Sequence, residues 1–506
     1  MTTERPSETI PALLVERRKE DADRRALVTA DEAITFAELD DASAATAARL
    51  VAAGVVKGDR VGLLAPNGIE WATTALAALR IGAVLVPLST LLRPPELLAQ
   101  ITGAAITHLV TVPEFRNRRY LDDLATVIPD RAAAPSLRAV WTAGTVPESA
   151  APADLVQAME DRVRPADDLC ILFTSGSRGA PKGIIHTHGG ALRATAAGLE
   201  ARCVRPGERL YIPMPFFWTG GFSGGLITAL VAGATLLTEA EPEPSRTLEL
   251  LQRERVTLFR GWPDQAARLA AHPAFADADL SSLTDASLGA VLPRDRRSAP
   301  GARANLFGMT ESFGPYCGDR LDTDMPPDKH GSCGRPFPGV EVRIAGEQGE
   351  IWLRGPNLLR GICGRHRSDV FTPDGWYRTG DLGRLDDDGY LWYAGRLDDM
   401  VKVKGATVYP SEVEAALRAV DAVRQAYVTD VPDGDGRPEI AALVLSDAPA
   451  EAISAAVRER LSAFKVPTVW LVTRDPAAVP MLATGKVDKP ALQQLLGKSG
   501  TAAARG

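Results

Sequence analysis

The first third of the chain alternates between two hydrophobic periods. Apolar residues recur at helical spacing from Phe36 to about Ala53, behind Thr35 and Glu38, and Gly54 ends the run. A threonine followed three residues later by glutamate is a capping box, which marks a helix start. Arg60–Leu64 is an apolar run of strand length. Helical spacing returns over Ile69–Leu79 and stops at Gly82, and Ala83–Pro87 is a second strand. Strand, helix and strand at this spacing predict βαβ units, hence a parallel sheet with helices packed on it. The same grammar resumes at Leu169–Phe173, at Arg209–Ile212, and near Thr235 and Leu258. From about Gly331 the strands shorten into hairpins: Val340–Ile344, Glu350–Leu353, and Gly389–Ala394 after a polar turn. Gly395–Asp399 is a polar break. Beyond it lie a strand at Met400–Val403, a turn at Gly405, and a second capping box at Ser411 and Glu414. That box opens a helix with Val413, Ala416, Leu417 and Val420 on one face. The fold class this predicts is α/β. A large N-terminal domain spans residues 1–395, with a small β-rich subdomain over about 331–395. A smaller α+β domain covers 399–496, and 497–506 reads as a disordered tail.

Composition narrows the function classes. A chain of 506 residues exceeds one hydrophobic core, which agrees with two domains. Hydrophobic residues make up 45% and charged residues 24%, an ordinary globular mix. Net charge is −7 and no basic tract occurs, which argues against a nucleic-acid partner. The five cysteines are odd in number, widely spaced and lack a CxxC pair. That pattern fits a reducing cytoplasm and neither a disulfide framework nor a zinc site. The polar N-terminus is no signal peptide. The most apolar stretch, Gly224–Leu237, is interrupted by glycines and too short to span a bilayer. His186 and His188 fall on one face of a strand, but no third metal ligand is evident, so both read as structural. No internal repeats occur, and the pattern carries no signal for oligomeric state.

The chemistry concentrates after the strand Leu169–Phe173. The following TSGSRGAPKG, Thr174–Gly183, crowds Gly176, Gly179 and Gly183 with Ser175, Ser177, Arg178 and Lys182. Glycines let backbone N–H groups approach an anion closely, hydroxyls add donors, and lysine supplies a point charge. This is a phosphate cradle in composition. It is not a Walker A loop, because the lysine follows Pro181 and precedes Gly183. No GxGxxG follows the first strand, which disfavours a dinucleotide oxidoreductase.

The pattern TSGSxGxPKG resembles the signature of the adenylate-forming superfamily, which comprises acyl- and aryl-CoA synthetases, adenylation domains and luciferases. The resemblance continues in order. Phe307–Glu311 is similar to that family's aromatic-Gly-x-Thr-Glu motif, and Gly349-Glu350 with Arg354-Gly355 to its paired strands. Tyr377–Leu382 resembles its ribose motif, Gly395–Asp399 its hinge, and Thr484–Val487 its C-terminal lysine loop. Six matches in order over roughly 320 residues are far more specific than any one.

The resemblance implies an ATP- and Mg²⁺-dependent ligase. A carboxylate attacks the α-phosphate to give an acyl-adenylate, and a thiol or amine then takes the acyl group. It places Thr174, Ser175, Gly176, Ser177, Gly179 and Lys182 around the β- and γ-phosphates. Thr310 meets the α-phosphate and Glu311 holds Mg²⁺. Gly289, Ala290, Phe307, Gly308 and Met309 line the adenine. Asp381 accepts the ribose hydroxyls with support from Arg396, and Lys486 bridges the carboxylate and the α-phosphate. Asp398, within residues 396–398, is the hinge about which a mobile C-terminal domain rotates, bringing in Lys404 and Gly405; Lys402 and Lys404 either meet coenzyme A phosphates or are simply solvated on a strand.

Four departures stand out. Arg178 replaces the usual threonine, and either adds a cation to the pyrophosphate or points to solvent. Trp218 replaces a frequent histidine, implying either a short apolar acid pocket with Phe217, Gly221 and Phe222 nearby or aromatics that are simply core. Ser287–Pro293 resembles the adenine-binding strand, but the segment on to Phe307 is shorter than usual, as if a helix were trimmed. Phe307 stands where tyrosine is common. The leading expectation is a free-standing ligase joining a small aromatic or medium-chain acid to coenzyme A. The runner-up keeps the adenylation step with another acid or acceptor: a carrier-protein thiol, an amine, or nitrite activated onto an aryl amine. A non-catalytic nucleotide binder is a third reading, opposed by the retention of Glu311, Asp381, Arg396 and Lys486.

Overall fold

The computed structural model describes residues 7–142, 146–174, 181–397, 401–403, 406–434, 436–461, 465–482, 486–499 and 501–502. The chain divides into two compact units. One comprises Met1–Val342, Leu353–Tyr377 and Gly389–Leu391. The other comprises Arg343–Trp352, Arg378–Asp388 and Trp392–Gly506.

The first unit is built from the βαβ grammar. Helix Phe36–Ala52 starts where the capping box predicts. The Thr35 hydroxyl accepts from the Glu38 amide, and the Glu38 carboxylate accepts from the Thr35 amide. Strands Arg60–Leu64 and Val84–Pro87 pair in parallel around helix Ile69–Arg80. They are central in a seven-stranded sheet in the order Gly361–Ile362, Lys182–Thr187, Asp168–Thr174, Val84–Pro87, Arg60–Leu64, His108–Thr111, Ala139–Thr142. A five-stranded sheet has the order Leu258–Phe259, Arg209–Tyr211, Thr235–Leu237, Arg25–Val28, Ala33–Thr35, its first four strands parallel. The largest core cluster holds helix Ile69–Arg80 through Trp71, whose ring meets Phe216 at 5.1 Å and Phe222 at 5.8 Å. Burying each such side chain is worth about 2–3 kcal/mol. This fixes residues 213–222 against the interior.

The second unit carries most of a four-stranded sheet, Glu341–Ala345, Glu350–Arg354, Tyr377–Leu385 and Leu391–Arg396. Its C-terminal part has a sheet in the order Val423–Pro432, Pro438–Ser446, Val469–Thr473, Thr501–Ala502, with helices Pro410–Arg418, Ala450–Arg458 and Lys489–Ser499. Val413 and Leu417 are fully buried, as their spacing predicts. The expected capping box at Ser411 and Glu414 does not form. Pro410, with no N–H to satisfy, takes the first helical position, so the cap moves to Tyr409, whose amide donates to Glu412 at 3.0 Å. Ser411 instead donates to the Ala394 carbonyl at 2.6 Å, and Glu414 accepts from the Val428 amide at 3.1 Å. Helix Lys489–Ser499 and strand Thr501–Ala502 carry regular structure into the stretch expected as a tail. Among the described residues, no helix is long and apolar enough to cross a membrane.

Candidate active site

Strands Asp168–Thr174 and Lys182–Thr187 form an antiparallel hairpin in which Thr174 and Lys182 are register partners. The Gly/Ser-rich loop is therefore the hairpin's connection, and its Ser175, Gly176, Ser177, Arg178 and Gly179 lie outside the described residues. Lys182, Ile184 and His186 share one face of their strand. Lys182 is half-buried and makes no ion pair among the described residues. His186 is fully buried, lies edge-on to Phe313 at 5.0 Å, and donates from Nε2 to the Thr310 carbonyl at 2.7 Å. Burial lowers its pKa to about 4, so the ring is neutral with its proton on Nε2. His188 instead begins a helix, and its Nδ1 accepts from the Ile10 amide at 3.2 Å. The two histidines thus serve separate contacts.

That hydrogen bond ties the hairpin to the turn bearing Thr310 and Glu311. Strand Phe307–Met309 pairs antiparallel with Gly314–Gly318. A Cβ on Gly308 would sit 2.2 Å from the Gly314 carbonyl oxygen, so only glycine allows this approach. The Ser312 hydroxyl accepts from the Met309 amide at 3.2 Å and donates to the Gly314 carbonyl at 2.7 Å, closing the turn. Thr219 donates to the Thr310 hydroxyl at 3.2 Å. The Glu311 carboxylate is buried and accepts from the Tyr377 hydroxyl at 3.0 Å, with no cationic side chain paired to it among the described residues. A buried carboxylate without a cation is costly unless a charge joins it. One carboxylate beside phosphate oxygens suits Mg²⁺, so the residues fit that ion. Phe307 is half-buried and edge-on to Tyr316 at 5.6 Å.

The residues expected near the acid, Phe217, Trp218, Gly221 and Phe222, fall within residues 213–228. After one turn at Thr219–Gly221 the backbone widens into a π-helical stretch, Phe222–Ile227, where the Thr228 hydroxyl donates to the Ser223 carbonyl at 2.6 Å. Such widened turns recur at functional sites. A Cβ on Gly221 would lie 2.1 Å from the Pro215 oxygen, so this glycine sets the turn. Phe217 is buried edge-on to the half-buried Trp218 at 5.3 Å. Phe222 is fully buried in the main core, between Trp71 and Phe313. The strand expected at Ser287–Pro293 is instead a 3₁₀ turn at Gly289–Val291, which contains Ala290. Ser287 and Leu288 already satisfy the Phe259 N–H and C=O, which leaves the next residues no strand partner. Between Pro293 and Phe307 stands a short 3₁₀ turn, Arg294–Arg296, and no α-helix.

The second unit brings together two expected residues. Asp381 is buried and accepts from Arg396 at 2.8 Å. The Thr379 hydroxyl accepts from the Asp381 amide at 2.9 Å and donates to the Ile351 carbonyl at 2.7 Å, which orients the carboxylate. Glu350 accepts from the Gly380 amide at 3.0 Å, joining its strand to the ribose motif. Lys486 is exposed, and its carbonyl accepts from the Leu482 amide at 2.7 Å beside a bridge between Met481 and Val487. Asp398, Lys404 and Gly405 lie outside the described residues. Sequence reasoning missed the links from His186 and Thr219 to Thr310 and from Tyr377 to Glu311. A polar His186 within an apolar strand was the one available signal.

A family model described as AMP-binding enzyme matches residues 14–363. The chain is 35% identical, over 96% of its length and 99% of the relative's, to a 3-[(3aS,4S,7aS)-7a-methyl-1,5-dioxo-octahydro-1H-inden-4-yl]propanoyl:CoA ligase of Mycobacterium tuberculosis. It resembles the structure of the anthranilate CoA ligase AuaEII, bound to anthranoyl-AMP, with TM-score 0.80 and 26% identity over 97% of this chain and 98% of that one. It also resembles the amide bond synthetase McbA of Marinactinospora thermotolerans, with TM-score 0.78 and 27% identity over 96% and 99%.

Proposed function

The chain belongs to the AMP-binding enzyme family and is an ATP-dependent adenylate-forming ligase, and on that premise we propose that it joins a small aromatic or medium-chain carboxylic acid to coenzyme A. The acid's carboxylate attacks the α-phosphorus of ATP, and the bond to pyrophosphate breaks. The coenzyme A thiol then displaces AMP from the acyl carbon. The observation that carries this reading is Glu311, a buried carboxylate without a cation among the described residues, beside a threonine hydroxyl on a turn that glycine and serine hold rigid. Bound there, Mg²⁺ would screen phosphate charge as pyrophosphate leaves. Thr174 and Lys182, with Ser175–Gly179 between them, hold the β- and γ-phosphates. Thr310 donates to the α-phosphate, and His186 fixes its backbone. Asp381 accepts the ribose hydroxyls, oriented by Arg396, and Lys486 meets the reacting carboxylate. Asp398 serves as the hinge between half-reactions, and Lys404 and Gly405 belong to the second. The names of related CoA ligases support the thiol acceptor. Five cysteines, four of them buried and none in a disulfide among the described residues, support a reducing, cytoplasmic setting.

A second reading exchanges coenzyme A for a carrier-protein thiol or an amine. The likeness to an amide bond synthetase favours it, as does the absence of an α-helix between Pro293 and Phe307. Glu311→Gln tests the step common to both. Acid-dependent pyrophosphate release should fall about 100-fold or more, with the urea midpoint within experimental scatter of wild type. Release above a tenth of wild type would remove Glu311 from the metal site and the reading with it.

A further inference from the structure

Arg260 stands where the two sides of the candidate site meet. It follows strand Leu258–Phe259, and its amide donates to the Tyr211 carbonyl at 2.9 Å. That places it at the carboxyl ends of two adjacent parallel strands, where open α/β sheets bind ligands. On one side, Tyr211 leads into residues 213–219, and a Cβ added to Gly261 would meet the Pro213 ring at 3.5 Å. On the other, Phe259 is bonded to Ser287 and Leu288, which lead into the Gly289–Val291 turn.

The Arg260 guanidinium is half-buried, and it donates from Nη2 to the Arg202 carbonyl at 2.7 Å. Among the described residues no carboxylate pairs with it; Glu208 acts on it only from a distance and accepts from the Thr257 hydroxyl. Arg202, only 7% exposed, is likewise bound to neutral acceptors, the Thr228 hydroxyl at 2.9 Å and the Gly224 carbonyl at 2.8 Å. Arg303, the third cation of this group, is paired with Asp324 at 3.2 Å. Desolvation lowers both Arg202 and Arg260 to about 10, and Arg202 adds like-charge repulsion to Arg260. Two desolvated cations without an anion are costly in a fold, unless a ligand supplies the missing charge. Contacts lead from this pair to the reacting end. Arg202 holds Gly224, five residues from Thr219, and Thr219 holds Thr310. Five helical residues rise about 7.5 Å.

We infer that Arg260 selects an acid bearing a second anionic group, whose distal carboxylate pairs with this guanidinium while the reacting carboxylate lies beside Thr310. The spacer between the two is a few carbons or one ring. This rests on the ligase reading and names its substrate class. The test compares matched pairs, hexanoate with adipate and 3-phenylpropanoate with its 4-carboxy analogue, by kcat/KM for pyrophosphate release. Wild type should prefer the diacid of a pair. In Arg260→Met the diacid-to-monoacid ratio should fall about 100-fold, and Arg260→Lys should retain part of it. A ratio that moves less than threefold in Arg260→Met, or a wild type that prefers the monoacid in both pairs, would overturn the inference. Silence with every acid would instead indict the ligase reading. Calorimetry with adipate then decides the anion site: binding lost in Arg260→Met sustains it, and equal or absent binding ends it.

Discussion

His186 couples two motifs that lie 124 residues apart, through one proton on Nε2. Its partner is a backbone carbonyl, so nothing in the side-chain pattern around Thr310 announces the contact. Glu311 and Asp381 were legible because they sit in motifs with roles proposed for their side chains; the contacts of His186 and Thr219 with Thr310, and of Tyr377 with Glu311, were not, because they join segments distant in sequence. The buried imidazole also makes a pH prediction. His186 and His188 both titrate near 4 in the fold, against about 6.5 for a free imidazole. The unfolded chain therefore takes up these protons first, and stability falls as pH drops from about 6.5 towards 4. The fall is of order 3 kcal/mol for each ring at most. Urea midpoints at pH 7 and 4.5 should show that loss in wild type, and a smaller one in His186→Gln, which keeps a donor and does not titrate. Equal losses would mean that His186 is not held neutral.

At the scale of elements, periodicity was a reliable guide wherever a strand had a partner within the same βαβ unit. Arg60–Leu64, Ile69–Arg80 and Val84–Pro87 fall within a residue of their expected bounds. Expectation failed at Ser287–Pro293, where the family resemblance implies a strand but Phe259 offers hydrogen bonds to only its first two residues. It failed again at the helix start near Ser411, where Pro410 moved the cap upstream. The turn after Phe307 depends on backbone proximity that only a glycine permits. Gly308→Ala would drive a Cβ against the Gly314 carbonyl. The strand pair must then open, at a cost of about 1–3 kcal/mol. The KM for ATP should rise as Phe307 and Thr310 shift. A variant with wild-type urea midpoint and wild-type KM would show that this close approach does not shape the site.

Across the whole molecule the expected groups divide between the two units. Thr174, Lys182, Phe307, Thr310 and Glu311 belong to the first, and Asp381, Arg396 and Lys486 to the second. Long-range order was readable because six motifs follow one another in sequence, whereas the surroundings of residues 213–222 were not, because that segment carries no such motif. Phe222, expected either at the pocket or in the core, is buried in the core, and Arg260, which no motif contains, stands at the strand ends. The most direct test of the account is stoichiometry: AMP, pyrophosphate and acyl product measured together across a panel of carboxylic acids, with and without coenzyme A. One AMP and one acyl-CoA per acid consumed, both dependent on coenzyme A, is the predicted result. AMP release that ignores coenzyme A, or that requires an amine, would contradict the proposed acceptor.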